Sequence, residues 1–138
     1  MIPRVVLDSN VIISGVLFGG TPARVVEHAL QGRIECFTSL PILDEVRGVL
    51  QRPKFGFSPA QALLLIEELH NLFVVVSPTR RIRAVDADPD DNAILECAVT
   101  ADARIVISGD AHLLDLGSWH NIRILSPSDA LMEIEYPQ

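Results

Sequence analysis

The chain has 138 residues, with 11 Lys plus Arg against 18 Asp plus Glu and a formal charge of −7 at pH 7. That length suits one domain, residues 1–138, that is stable without staples, and the acidic balance excludes a simple nucleic-acid coat, which would bind phosphate through Lys and Arg. Two cysteines, Cys36 and Cys97, make neither a disulfide framework nor a C-x-x-C metal site. With no signal-peptide pattern and no membrane-length apolar run, a cytoplasmic protein without membrane contact is expected.

In chain order, Arg4-Val5-Val6-Leu7 is an apolar run of strand formers that ends abruptly in Asp8, Ser9 and Asn10. Such a continuous run fits a strand buried on both faces of a parallel sheet. Val11 to Phe18 reads as a short helix or turn, broken by Gly19-Gly20. Thr21 is expected to cap a helix that has Pro22 at its first position and runs to Gly32. Residues 34–37 form a second strand, and a helix from Ser39 to Leu50 is stopped by Pro53. Ser58-Pro59 opens a helix rich in leucine (Leu63, Leu64, Leu65, Leu69, Leu72), a sector wide enough for deep core or for an oligomer surface. Residues 73–76 are a third strand, followed by Arg80, Arg81 and Arg83. Asp88-Pro89 starts a helix to about Ala101, residues 104–107 and 122–125 are two more strands, and Ser126-Pro127 starts a last helix. The alternation predicts α/β architecture with a mainly parallel, about five-stranded sheet.

Acids recur where strands end and helices begin. Open α/β sheets bind ligands at the carboxyl ends of their strands, which is where Asp8 falls. Asp110, after Ile105-Val106-Ile107-Ser108-Gly109, repeats the arrangement, and the two acids converge if these strands are neighbours. Each acid has a plainer use as a helix cap. On the third helix, Ile42, Leu43, Val46, Val49 and Leu50 mark a buried stripe; Glu45 lies on its rim, while Asp44 points away and is solvated. Asp86, Asp88, Asp90 and Asp91 crowd one helix start, a position the helix dipole favours. Asp91 borders the buried face through Ile94 and Ala98, and Glu96 is expected on the solvated side. The four histidines show no H-x-x-x-H spacing, and neither G-x-S-x-G nor a P-loop is present. A receiver-like or haloacid-dehalogenase-like phosphoryl-handling domain would want a lysine late in the chain, and Lys54 is the one lysine.

With these acids placed, the chain resembles the PIN-domain ribonucleases, above all the prokaryotic branch of toxin components of toxin–antitoxin pairs. The resemblance is carried by Val6-Leu7-Asp8-Ser9-Asn10-Val11, Leu43-Asp44-Glu45-Val46 with Arg52-Pro53-Lys54-Phe55, Asp88-Pro89-Asp90-Asp91-Asn92, and Val106-Ile107-Ser108-Gly109-Asp110 with Leu113-Leu114. It implies a three-layer α/β/α domain that hydrolyses single-stranded RNA with Mg²⁺ or Mn²⁺. The implied catalytic and metal-holding acids are Asp8, Glu45, Asp91 and Asp110, supported by Asn10, Ser108 and Asp88. Arg80, Arg81 and Arg83 are candidates for substrate phosphates. An antitoxin protein and a homodimer or higher homo-oligomer are the expected partners. A PIN fold that binds RNA or a partner without catalysis is the alternative.

Overall fold

The computed structural model describes residues 2–82 and 89–137. Three of the four residues of β1 (Arg4–Leu7) are buried, as a strand covered on both faces requires. The chain continues through α1 (Ser9–Leu17), α2 (Thr21–Leu30), β2 (Glu35–Ser39), α3 (Leu40–Leu50), α4 (Pro59–Leu72) and β3 (Val74–Val76). It then forms α5 (Pro89–Ala101), β4 (Ile105–Ile107), α6 (Ala111–Leu116), β5 (Ser118–Trp119), β6 (Ile122–Leu125) and α7 (Pro127–Glu135). The strand order is β3-β2-β1-β4-β6-β5, parallel except for the β5–β6 pair. Helices cover both faces in a three-layer α/β/α arrangement, with α5 packed on β1, β2, β3 and β4, and α6 and α7 on β6.

Six described strands replace the expected five or so. The addition, β5, is two residues long and antiparallel, and too short to leave a periodic signal. The expected cap of α2 also moves: Thr21 is its first residue, and the cap is Gly20, whose φ of 86° suits a residue without a side chain. Ser58 caps α4 as read from the sequence, in a full capping box with Gln61. The leucine-rich sector of that helix divides: Ala62, Ile66 and Leu69 are buried, whereas Leu63 and Leu64 are exposed. Gly15 is the point where α1 meets α2, since a Cβ there would stand 2.6 Å from Val26 Cγ2 and 2.8 Å from the Pro22 carbonyl oxygen.

The sheet order positions the site. After β1 the chain builds outward through β2 and β3, then crosses to start again on the other side of β1 with β4. The reversal leaves a crevice at the carboxyl ends of β1 and β4, the usual ligand position in such sheets. Leu7 pairs with Ile107 in register, so Asp8 and Ser108 are the next residues out on neighbouring strands.

Candidate active site

Asp8 sits at the N-cap position of α1, yet its side chain makes no capping bond to that helix. Its backbone N–H is held by the Ile107 carbonyl at 2.9 Å, which fixes it against β4. The carboxylate, only 5 % exposed, takes a 2.7 Å hydrogen bond from the Ser108 hydroxyl at Oδ2, and the Ser9 hydroxyl lies 3.4 Å from Oδ1. The plain capping role is therefore not what this side chain does.

Ser108 is wholly buried. Its Oγ donates to Asp8 and accepts the Asp110 backbone N–H at 2.9 Å, so one hydroxyl joins the two strand-end acids. Asp110 does cap a helix: its Oδ2 accepts the Leu113 N–H at 3.1 Å. The cap does not remove Asp110 from the candidate site, because it orients a carboxylate whose charge reaches Asp8. Burial pushes the Asp8 carboxyl above its ordinary value; the Ser108 hydroxyl and Ser9 amide pull it down, and the Asp110 charge raises it further. No salt bridge to either acid is present among the described residues.

The other expected acids come from the helices. Asp91 is buried in the first turn of α5, beside buried Asn92, and α5 packs on β1 and β4, the two strands that carry the site. Glu45 is half-buried on α3, while Asp44 is exposed and lies 3.7 Å from Arg47, as the helical phase required. Asn10 is exposed in the first turn of α1. Asp86, Asp88 and Arg83 lie outside the described residues. Among the described residues, no three His, Cys, Asp or Glu side chains gather closely enough to hold a metal ion as they stand. What the structure brings together is thus Asp8, Ser108 and Asp110; Glu45 and Asp91 are on packed helices but not in one cluster with them.

Glu96 corrects the sequence reading. It is half-buried, not solvated, and its Oε2 accepts the Ile82 N–H at 2.8 Å. That bond ties the segment after β3 onto α5, an interaction 14 residues apart that helical phase could not foresee. With Ser39, Arg80 and Arg81, Glu96 lines a cavity of about 540 Å³ at the carboxyl ends of β2 and β3. Arg80 and Arg81 are exposed and form no salt bridge among the described residues. Both thiols are buried and pushed up to about 12 by desolvation, the setting of an inert structural cysteine rather than of a reactive thiolate.

A family model for the PIN domain matches residues 4–112, from the start of β1 through Asp110 and into α6. The chain belongs to the PIN domain family. PIN domains are generally nucleases and typically depend on divalent metal ions. No curated protein matches the chain by sequence. Among solved structures, the crystal structure of PAE2754 from Pyrobaculum aerophilum superposes with a TM-score of 0.59 at 11 % identity, over 97 % of this chain and 90 % of that one. At that identity the likeness is one of fold, and it extends the PIN fold over β5, β6 and α7 beyond the span of the family model.

Proposed function

We propose that this PIN domain is a Mg²⁺- or Mn²⁺-dependent ribonuclease that hydrolyses phosphodiester bonds of single-stranded RNA. The observation that carries the reading is the Asp8, Ser108, Asp110 cluster: a carboxylate raised by burial and, to a smaller extent, by a second carboxylate, held by a hydroxyl, with no cation paired to it among the described residues. Such a pair is unfavourable on its own and is relieved by a bound cation. The donor set is all oxygen, which fits hard divalent ions and not zinc or copper.

Asp8 and Asp110 would hold the ion from the strand ends, with Asp91 and Glu45 supplying further oxygens from α5 and α3. A divalent ion bound there supplies Lewis-acid polarisation of the phosphodiester and a more acidic water. The chain's own part is orientation. Ser108 fixes the Asp8 carboxylate and the Asp110 backbone at once; Asn10, exposed two residues after Asp8, would offer an amide, and a carboxylate of the set not engaged with the ion would accept the proton of the attacking water. Arg80 and Arg81, which line the cavity at the carboxyl ends of β2 and β3, would contact substrate phosphates.

The test is cleavage of a single-stranded RNA with Mg²⁺ or Mn²⁺, abolished by chelator, together with a rise in melting temperature at millimolar Mn²⁺ in the absence of RNA. Cleavage that persists in excess chelator, or no thermal shift, contradicts it. For the toxin role with an antitoxin, expression should arrest growth, and co-expression of the neighbouring gene's product should restore it. For the homodimer, the exposure of Leu63 and Leu64 on α4 and of Val74 on edge strand β3 is the support, and light scattering reads the mass.

A further inference from the structure

A second cavity, of about 260 Å³, lies toward the opposite end of the sheet, where Arg104 precedes β4 and Asn121 precedes β6. It is lined by Arg80, Asp102, Arg104, Trp119, His120 and Asn121. The Trp119 and His120 rings meet edge to face, 4.1 Å between centroids and 88° between planes. Asp102 ends α5, and His120 turns the β5–β6 hairpin, both with positive φ (54° and 52°). Glycine or asparagine is the usual choice at such points, yet here the side chains present are ones that line a cavity.

The arginines divide by partner. Arg4, Arg24, Arg47 and Arg123 each have a carboxylate within 4.0 Å. Arg80, Arg81 and Arg104, like Arg33 and Arg52, have none among the described residues; of these five, Arg80 and Arg104 line the aromatic cavity and Arg80 and Arg81 the other. Arg80 belongs to both cavities, so the depressions meet at that side chain along α5.

We infer that this aromatic cavity is a nucleotide-binding subsite, which holds one base of a single-stranded RNA whose scissile bond lies at the acids. Flanking guanidinium groups attract phosphate, and aromatic rings offer the stacking platform that single-strand binders use. Asp102 argues against a site for a bare anion, because a carboxylate repels one. It suits a ligand that is anionic in its backbone and carries N–H donors on its edge, which a nucleobase does, and Asn121 adds a donor and an acceptor. From Asp91 to Asp102 along α5 is roughly 17 Å at the helical rise. A stacked strand at about 3.4 Å per nucleotide covers that in about five nucleotides.

The inference rests on the nucleic-acid reading above, so its test is kept apart from cleavage. Trp119 is the one tryptophan of the chain, and its emission reports this cavity alone. The probe is a ten-nucleotide single-stranded RNA with 2′-O-methyl riboses, titrated in chelator so that nothing is cleaved. Saturable quenching of Trp119 is expected, with affinity, read by anisotropy of a labelled copy, about tenfold weaker in Arg104→Gln and in Trp119→Ala. Arg104 is exposed, so its variant carries the test should Trp119→Ala fail to fold. Unchanged emission at saturation, or wild-type affinity in Arg104→Gln, overturns the subsite even if metal-dependent cleavage is found. Quenching with the tenfold loss, in a protein that cleaves nothing, upholds the subsite and removes the nuclease reading instead.

Discussion

Two carboxylate clusters in this molecule are built on opposite plans. On α7, Glu135 accepts bonds from Arg24 at 2.5 Å and lies 2.9 Å from His28 Nε2, both on α2. These partners hold Glu135 below its ordinary value, His28 contributing most, and they fasten the last helix to the second. At the carboxyl ends of β1 and β4, Asp8 has a hydroxyl and an amide as partners, and burial raises it, with a smaller push from the Asp110 charge. The first acid is matched with positive charge and serves the fold. Among the described residues the second pair has no such match where the sheet opens, the kind of perturbed carboxylate that is a candidate for a functional site.

The largest effect that separates the two plans belongs to Asp8→Asn. RNA cleavage should fall by more than about a hundredfold, since even residues that only orient metal ligands cost 10–100-fold. Metal-free stability should hold or rise. The pH dependence has a definite sign. Because the folded chain raises Asp8, it binds that proton more tightly than the unfolded chain does. Metal-free stability therefore falls as pH climbs from the ordinary carboxylate value through the raised one, and Asp8→Asn removes that slope. Thermal melts in chelator from acid to neutral pH check it; full activity in this variant returns Asp8 to a purely structural role.

Ser108→Ala comes next. It strips the bond to Asp8 and leaves the Asp110 N–H without its acceptor. We expect a loss of about 1–3 kcal/mol, because both groups are in or near the core, together with a ten- to hundredfold weaker response to Mn²⁺. Urea melts and a Mn²⁺ titration of activity read the two parts separately, and Ser108→Thr, which keeps the hydroxyl, should recover the metal response better than alanine.

A smaller difference is expected on α3. Glu45→Gln should need roughly tenfold more Mn²⁺ for the same cleavage rate, an amide being a poor ligand for a hard cation. Asp44→Asn should leave activity unchanged and stability within about 0.5 kcal/mol, its contact with Arg47 being a surface pair. Comparing rates at limiting and saturating Mn²⁺ decides it. If Asp44→Asn is the inactive protein, α3 does not reach the site as proposed.

The smallest effect on chemistry should come from Glu135→Gln, which breaks the other cluster. Its melting temperature should fall at neutral pH while cleavage stays at the wild-type rate. Glu135 is lowered in the fold, so the stability it contributes is present above the unfolded value and is lost as pH falls through the lowered one. The wild-type and variant melts should therefore converge in acid.

Much of this was legible in the residues. The buried run Val5-Val6-Leu7, the proline-started helices and the alternation of elements determine a parallel sheet, because strands covered on both faces leave no polar positions and Pro fits a first helical turn. Helical phase likewise separated Glu45 from Asp44 on α3. Only the tertiary structure decided that β1 and β4 are neighbours, and so that Ser108 donates to Asp8 across 100 residues of chain. It alone showed that Glu96 holds Ile82, that His28 lies buried against Glu135, and that Arg80, Arg104 and Trp119 share one cavity. The physical reason is common to all of these. Periodicity reports which side of an element faces the core, through the burial of its own residues. Which other element lies there depends on strand order, and no local pattern of side chains encodes it.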